Sequence, residues 1–251
     1  MSTSLPTWGG WRPSACCHKA PITGPFLLCT CVGDDPGSRR LQSLDALRRR
    51  AVAVTDGPIH LLIDSTGLRI HVGHLRKPPK NRAWRKLHLA VDASTGEIVA
   101  SDLTSRRTHD CTRVTALLGQ INRRVASVIA DGAYDTEGVY EATHAKAEGR
   151  GVRVLIPPGR NAQLRLEPSA ALKERNRNIR STRRLGRREW HKRSGYSKRS
   201  MVENAICRYK TIIGRSMRSR TLAGQRVEVQ LASKILNTMT RLGMPDSYRV
   251  A

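Results

Sequence analysis

Ser194-Gly-Tyr-Ser-Lys-Arg-Ser-Met-Val-Glu-Asn-Ala-Ile-Cys-Arg-Tyr-Lys210 carries two stripes at the helical period. Met201, Val202, Ala205, Ile206 and Tyr209, continued by Ile212 and Ile213, recur on one side, the pattern of a helix laid against a core. Advanced by about 100° per residue, Tyr196, Arg199, Glu203 and Lys210 fall within a sector about 60° wide on the other side. A carboxylate between cations is most simply an exposed ion-pair ladder, contributing a few tenths of a kcal/mol. The segment gains a chemical reading only in combination with two acidic sites upstream.

The first of these follows a break at Asp56-Gly57-Pro58. Residues 59–63 are a continuous apolar run with the length of a buried strand, and Asp64 stands at its end. A lone Asp before Ser65-Thr66-Gly67 could equally start a turn. Strand-like pieces follow at 68–72, at 86–92 with Leu87, Leu89 and Val91 alternating, and at 97–103. The turn Asp92-Ala-Ser-Thr-Gly96 joins the last two as a hairpin. Residues 112–124, with Val114, Leu117, Leu118 and Ile121 in phase, form an amphipathic helix leading to a strand at 125–130. Asp131 ends that strand, and Gly132 gives close backbone access beside it. A helix over 136–148 and a strand over 152–156 complete the pattern before Pro157-Pro158-Gly159. The expected fold is α/β, a mixed five-stranded sheet flanked by helices.

Residues 160–193 are dominated by Arg and Lys with little periodic apolar content, and read as a basic insertion before the Glu203 helix. Phosphate binding and a solvated, self-repelling run are the two readings. Residues 224–242 form a last amphipathic helix with Val227, Leu231, Ala232, Ile235, Leu236 and Met239 on one side, expected to pack on the sheet. The loop 73–85 sets Lys77, Lys80, Arg82 and Arg85 around Trp84, which suits a strand of nucleic acid or plain solvation. Residues 1–40 are rich in Pro, Gly, Ser, Thr and Cys and lack periodicity, while 40–54 give a short basic helix through Leu41, Leu44, Leu47 and Ala51. The expected division is therefore a poorly ordered region over 1–55 and a folded domain over 56–251.

A chain of 251 residues, 39% hydrophobic, can bury a real core. Its 45 Lys and Arg against 20 Asp and Glu leave a formal charge of +25, which implies a polyanionic partner, nucleic acid first. No apolar run approaches the roughly 20 residues of a spanning helix. Residues 24–33 are too short, follow no basic segment and lead to no clear cleavage site, so neither membrane insertion nor secretion is expected. The six cysteines lack framework spacing and read as free thiols; Cys16, Cys17, His18, Cys29 and Cys31 contain no Cys-x2-Cys pair of the kind a zinc site uses.

The spacing Tyr-x2-Arg-x3-Glu-x6-Lys, taken with Ile63-Asp64-Ser65-Thr66-Gly67-Leu68 and Ala130-Asp131-Gly132-Ala133-Tyr134-Asp135, resembles bacterial insertion-sequence transposases of the DDE class, in insertion-sequence family five. Trp84 to Asp92 resembles that family's next strand, and Leu242 to Ser247 its closing sequence. The resemblance implies a ribonuclease H-like fold with Asp64, Asp131 and Glu203 as catalytic metal ligands for two Mg²⁺ or Mn²⁺ ions. It implies that Arg199 and Lys210 hold DNA ends, supported by Tyr196, with Trp84 and Arg85 as further DNA contacts. It also implies double-stranded DNA as partner, both element ends and target, a homo-oligomer assembled on it, and a cytoplasmic place on the bacterial nucleoid. The amino-terminal DNA-binding region usual in that family is missing or unrecognisable. Two rivals stay open: a ribonuclease H-like nuclease that does not join strands, and an inactive remnant that only binds DNA.

Overall fold

The computed structural model describes residues 57–70, 84–148 and 150–243. The region 1–55 with its basic helix, the loop residues Lys77, Lys80 and Arg82, and residues 244–247 lie outside the described residues. One long strand sorts the rest. β1 (Ile59–Ile70) pairs antiparallel with β2 (Trp84–Asp92) on one side and parallel with β4 (Val125–Ala130) on the other. β3 (Ile98–Ser105) extends the sheet antiparallel to β2, and β5 (Arg153–Leu155) extends it parallel to β4, giving the order β3-β2-β1-β4-β5. The β2–β3 hairpin turns on Gly96 at φ 73°, which a side chain would strain, with its N–H donating to the Asp92 carbonyl at 2.8 Å.

The pleat sends alternate residues to opposite faces, so each inner strand feeds two cores. Leu61, Ile63, Val128 and Ala130 meet α1 (Val114–Gly119), α2 (Glu137–Lys146) and the start of α3 (Ala170–Leu185) on one face. Leu62, Leu68 and Ile129 meet Trp190 of α4 (Arg187–Ser194), Val202 and Ala205 of α5 (Ser200–Arg208), and Val229, Ala232 and Leu236 of α6 (Leu222–Arg241) on the other. Among the described residues no helix is long and apolar enough to cross a membrane.

Among the described residues the sheet has six strands rather than the expected five. The β4 ladder along β1 stops at Ile63↔Ala130, which leaves the far half of that β1 edge open. β6 (Ser216–Met217) takes it, pairing parallel with Arg69 and Ile70, and is too short for any periodic signal. Asp64 does not end its strand either. β2 pairs along β1 from Leu61 to Arg69, so Ser65-Thr66-Gly67 stays extended and the expected piece 59–63 runs on in one strand to residue 70, residues 71 and 72 of the second expected piece lying outside the described residues.

The basic stretch 160–193 is not a solvated run. Ser169 caps α3, its Oγ accepting from the Leu172 N–H at 3.3 Å, and Leu172, Asn176, Asn178 and Ile179 are buried beneath the arginines. Asn178 Nδ2 donates to the Val154 carbonyl at 2.8 Å and so ties α3 to β5. The segment from Tyr196 is also not one continuous helix. A 3-10 turn (Tyr196–Arg199) leads into α5, and a π-type turn (Tyr209–Ile213) ends at Gly214 with φ 126°.

α6 lies on the sheet with a rotation the apolar pattern does not give. Val227, Leu231, Ile235 and Met239 are exposed, while Gln225, Val229, Ala232, Ser233 and Leu236 face inward. Two polar anchors set that rotation. Asn237 exchanges two 2.8 Å hydrogen bonds with the backbone of Ile98, and buried Gln225 accepts from Arg85 Nε at 2.9 Å. Satisfying these buried polar groups outranks burying a second apolar stripe.

Asp135 ties the loop after β4 to α3. Its carboxylate accepts from Arg175 Nε at 3.0 Å, from the Gly159 N–H at 3.2 Å and from the Tyr140 hydroxyl at 3.4 Å, and its side chain is 5% exposed. Removing the cation leaves a buried charge unpaired. Arg175→Ala is expected to lower the unfolding free energy by about 3 kcal/mol. Exposed Arg184→Ala on the same helix should change it by no more than roughly 0.5 kcal/mol. Equal urea midpoints for the two variants would refute the pairing.

Candidate active site

Because β1 and β4 run parallel and their ladder ends at Ile63↔Ala130, the next residue of each chain segment is a carboxylate, Asp64 beside Asp131. Parity sets their direction. Asp64 shares its face with Leu62, and Asp131 follows the parity of Ile129, so both turn toward the side that holds α5. Backbone N–H groups fix them: Ser65 donates to Asp64 Oδ1 at 2.8 Å, and Ala133 donates to Asp131 Oδ1 at 2.9 Å at the head of the turn Gly132–Tyr134. Gly132 lets that turn press against the next loop, since a Cβ there would stand 3.3 Å from the Pro157 carbonyl oxygen.

α5 supplies the third carboxylate. Val202 and Ala205 bury its inner face, which leaves Glu203 on the flank with 54% of its side chain exposed. The Arg199 guanidinium joins all three acids. Its Nη2 lies 2.9 Å from Asp64 Oδ2 and 3.9 Å from Asp131 Oδ2, and its Nη1 lies 2.5 Å from Glu203 Oε1. Burial pushes the Asp64 pKa up, helped by Asp131 and Glu203 and opposed by the Ser65 N–H and Arg199. Burial works against the charge on Arg199, but Asp64, Tyr196, Glu203 and Asp131 overcome it and hold its pKa above the usual value.

Tyr134, 1% exposed, packs in the core on the face opposite α5. Burial, then the charges of Asp110, Asp64 and Asp131, raise its pKa, so the phenol stays neutral. Asp110 pairs with Lys86 at 3.1 Å and stands 3.5 Å from Nδ1 of the buried His88. Burial lowers the His88 pKa against the pull of Asp110. Sequence reasoning missed this cluster, because Asp110 starts a short 3-10 turn after β3 and reaches Lys86 and His88 of β2 only through the β2–β3 pairing. Asp135 is visible in the sequence but its partner is not, since nothing marks Arg175 among its neighbouring arginines.

The remaining residues singled out from the sequence divide. Tyr196 stands close to the acids, its ring stacked on His191 with centroids 4.5 Å apart and 5.7 Å from Trp190. With His191, Lys192, Ser197, Arg199 and Ser200 it lines an open cavity of about 480 Å³ beside the carboxylates. Lys210 falls in the π-type turn, and among the described residues no carboxylate lies within ion-pair distance of it. Trp84 and Arg85 pair with Arg69 and Leu68 near the far end of β1, on the order of 15 Å along the strand from Asp64. Both are engaged internally. The Arg69 guanidinium sits 5.2 Å over the Trp84 ring, Gly67 leaves room for that ring, and Arg85 donates to Gln225.

Three carboxylates are hard oxygen donors, the ligand class of Mg²⁺ and Mn²⁺. Among the described residues no three or more His, Cys, Asp or Glu lie close enough together to hold a metal ion. The cation between them accounts for their spacing: the guanidinium is the point on which they converge. The donor chemistry therefore fits a divalent ion, on the condition that Arg199 gives way.

Residues 55–238 match the family described as a transposase DDE domain, a span that includes Asp64, Asp131, Tyr134, Arg199 and Glu203. Since the match takes in well over half of the sequence, the chain belongs to the transposase DDE domain family.

Proposed function

We propose that this chain is a DNA transposase of insertion-sequence family five, with a ribonuclease H-like catalytic domain that cuts the ends of its element and joins the freed 3′ hydroxyls to target DNA. The observation that supports this most is the convergence of Asp64, Asp131 and Glu203 on one cation from two adjacent parallel strands and a helix. Asp64, Asp131 and Glu203 would hold two divalent ions, which when bound supply an activated nucleophile and neutralise charge on the leaving oxygen. Ser65 and Ala133 orient the two aspartates through backbone N–H bonds. Arg199, released from the acids, is within reach of a phosphate in the adjoining cavity, and Lys192 and Tyr196 line the same cavity. Lys210 is proposed as a further DNA contact, and duplex DNA is proposed to assemble more than one copy of the chain.

Glu203→Gln keeps the size of the side chain and removes its charge. It should lower cutting and joining of a plasmid carrying the element's ends, in Mg²⁺ or Mn²⁺, by at least about 100-fold. Duplex binding should persist. Cut DNA without joined products in the unsubstituted protein would favour a nuclease, and retained cutting in Glu203→Gln would remove the assignment.

Arg199 gives a second test that needs no turnover. A cation held among three carboxylates competes with any other cation for the same field. Arg199→Ala should therefore bind Mn²⁺ at least about tenfold more tightly in the absence of DNA, an energy change near 1.4 kcal/mol. The variant should also unfold at lower temperature without metal and recover when metal is added. Unchanged or weaker Mn²⁺ binding would show that the guanidinium does not stand in the way.

A further inference from the structure

α3 carries two sets of cations with different occupations. Arg175 pairs with Asp135 and donates to the Gln163 carbonyl at 3.1 Å, Arg183 donates to the Ala162 carbonyl at 2.8 Å, and Arg187, just past the helix, donates to the Pro158 carbonyl at 2.7 Å. These arginines hold the loop that leads from β5 into α3. Lys173, Arg177, Arg180 and Arg184 are exposed at i, i+4, i+7 and i+11, so they share one face of the helix. With Pro168, Asn176 and Ser181 they line an open groove of about 340 Å³. Glu174 pairs with Arg177; among the described residues no acid lies within ion-pair distance of Lys173, Arg180 or Arg184.

We propose that this face of α3 is a docking ridge for the phosphate backbone of duplex DNA, separate from the carboxylate site. Eleven residues of helix rise about 16 Å, which matches roughly five base pairs of duplex at 3.4 Å each. The face holds no apolar side chain but Pro168, so it offers nothing to insert into a lipid surface. Asn176 has both ends of its amide committed, accepting from the Arg165 N–H at 3.1 Å and donating to the Arg165 carbonyl at 2.8 Å, and so is not free to read a base edge. The proposed contact is to phosphates, which carry no sequence information.

Its place in the fold separates it from the cutting site. Ala171 and Leu172 root α3 in the core on one side of the sheet, whereas α5 with Glu203 packs in the core on the other. A duplex on the ridge is thus held away from the phosphate at the acids, as either the flank of the element end or the target. The position of that duplex relative to the cut rests on the reading of the carboxylates as a DNA-cutting site; the ridge itself does not.

The test uses the full chain with Lys173→Gln, Arg177→Gln, Arg180→Gln and Arg184→Gln together. Binding to an element-end duplex and to a duplex of unrelated sequence is measured from 50 to 200 mM salt by fluorescence anisotropy. For both duplexes the slope of log K against log salt should fall by about 3.6, near 0.9 for each phosphate that is no longer neutralised. A control in which Arg106, Arg107, Arg226 and Lys234, all exposed elsewhere, become Gln should change it by less than about 1. Should the fourfold variant not fold, Arg180→Gln with Arg184→Gln should lower the slope by about 2. An unchanged slope, an equal fall in the control, or a fall confined to one duplex would overturn the ridge. Loss of joining with end-cutting retained identifies the held duplex as target, and loss of both identifies it as the element flank. If the unsubstituted protein binds steeply but never cuts, the catalytic reading falls and the ridge stands; an unchanged slope with cutting intact removes the ridge alone.

Discussion

The parallel pairing of β1 with β4 is the constraint on which the rest depends. A parallel ladder keeps residues in step, so two strands that each end their shared ladder before an aspartate deliver those aspartates side by side. Both strands are buried on both faces, and a slip of one residue would turn every core side chain to the wrong face. Leu62 and Ile63 feed different cores, so hydrophobic packing on two sides fixes the register. The position of the acids is thus enforced by apolar contacts that never touch them.

That enforcement has an electrostatic cost. Three carboxylates turned to one point repel, and burial of Asp64 raises the free energy of its charged form further. Without a cation the cluster would protonate or spread. Arg199 supplies one from the turn that starts α5, which binds the position of Glu203 on the helix to that of Asp64 on the sheet. Under the proposed function the same guanidinium that completes the folded site occupies the point a metal would take, so folding and loading would compete for a single charge position.

Most of the strand order was legible because strands buried on both faces read as continuous apolar runs, and Gly or Pro marks the turns between them. Asp64, Asp131, Arg199 and Glu203 were reachable from sequence: the aspartates abut such runs, and the other two share a helical spacing that survives from the 3-10 turn into α5. What was not legible depends on long-range partners. β6 exists because an edge is left open, α6 is rotated by Asn237 and Gln225 rather than by its apolar stripe, and nothing near Arg85 in the sequence marks Gln225 as the acceptor of its Nε–H. The meeting of Asp110 with Lys86 and His88 has no local signature at all.

The basic stretch shows why composition alone misleads. A run of arginines repels itself and reads as solvated until its partners are known, yet here Arg175, Arg183 and Arg187 find carbonyl oxygens or a buried carboxylate within the chain. Those hydrogen bonds satisfy a loop after β5 that could not otherwise lie against the turn carrying Asp131. The exposed cations Lys173, Arg177, Arg180 and Arg184 stand on one helical face because the other side is occupied by Ala171, Leu172, Asn178 and Ile179. Packing, rather than any property of the individual side chains, sorts this part of the +25 charge into cations that build the site and cations that remain available to a polyanion.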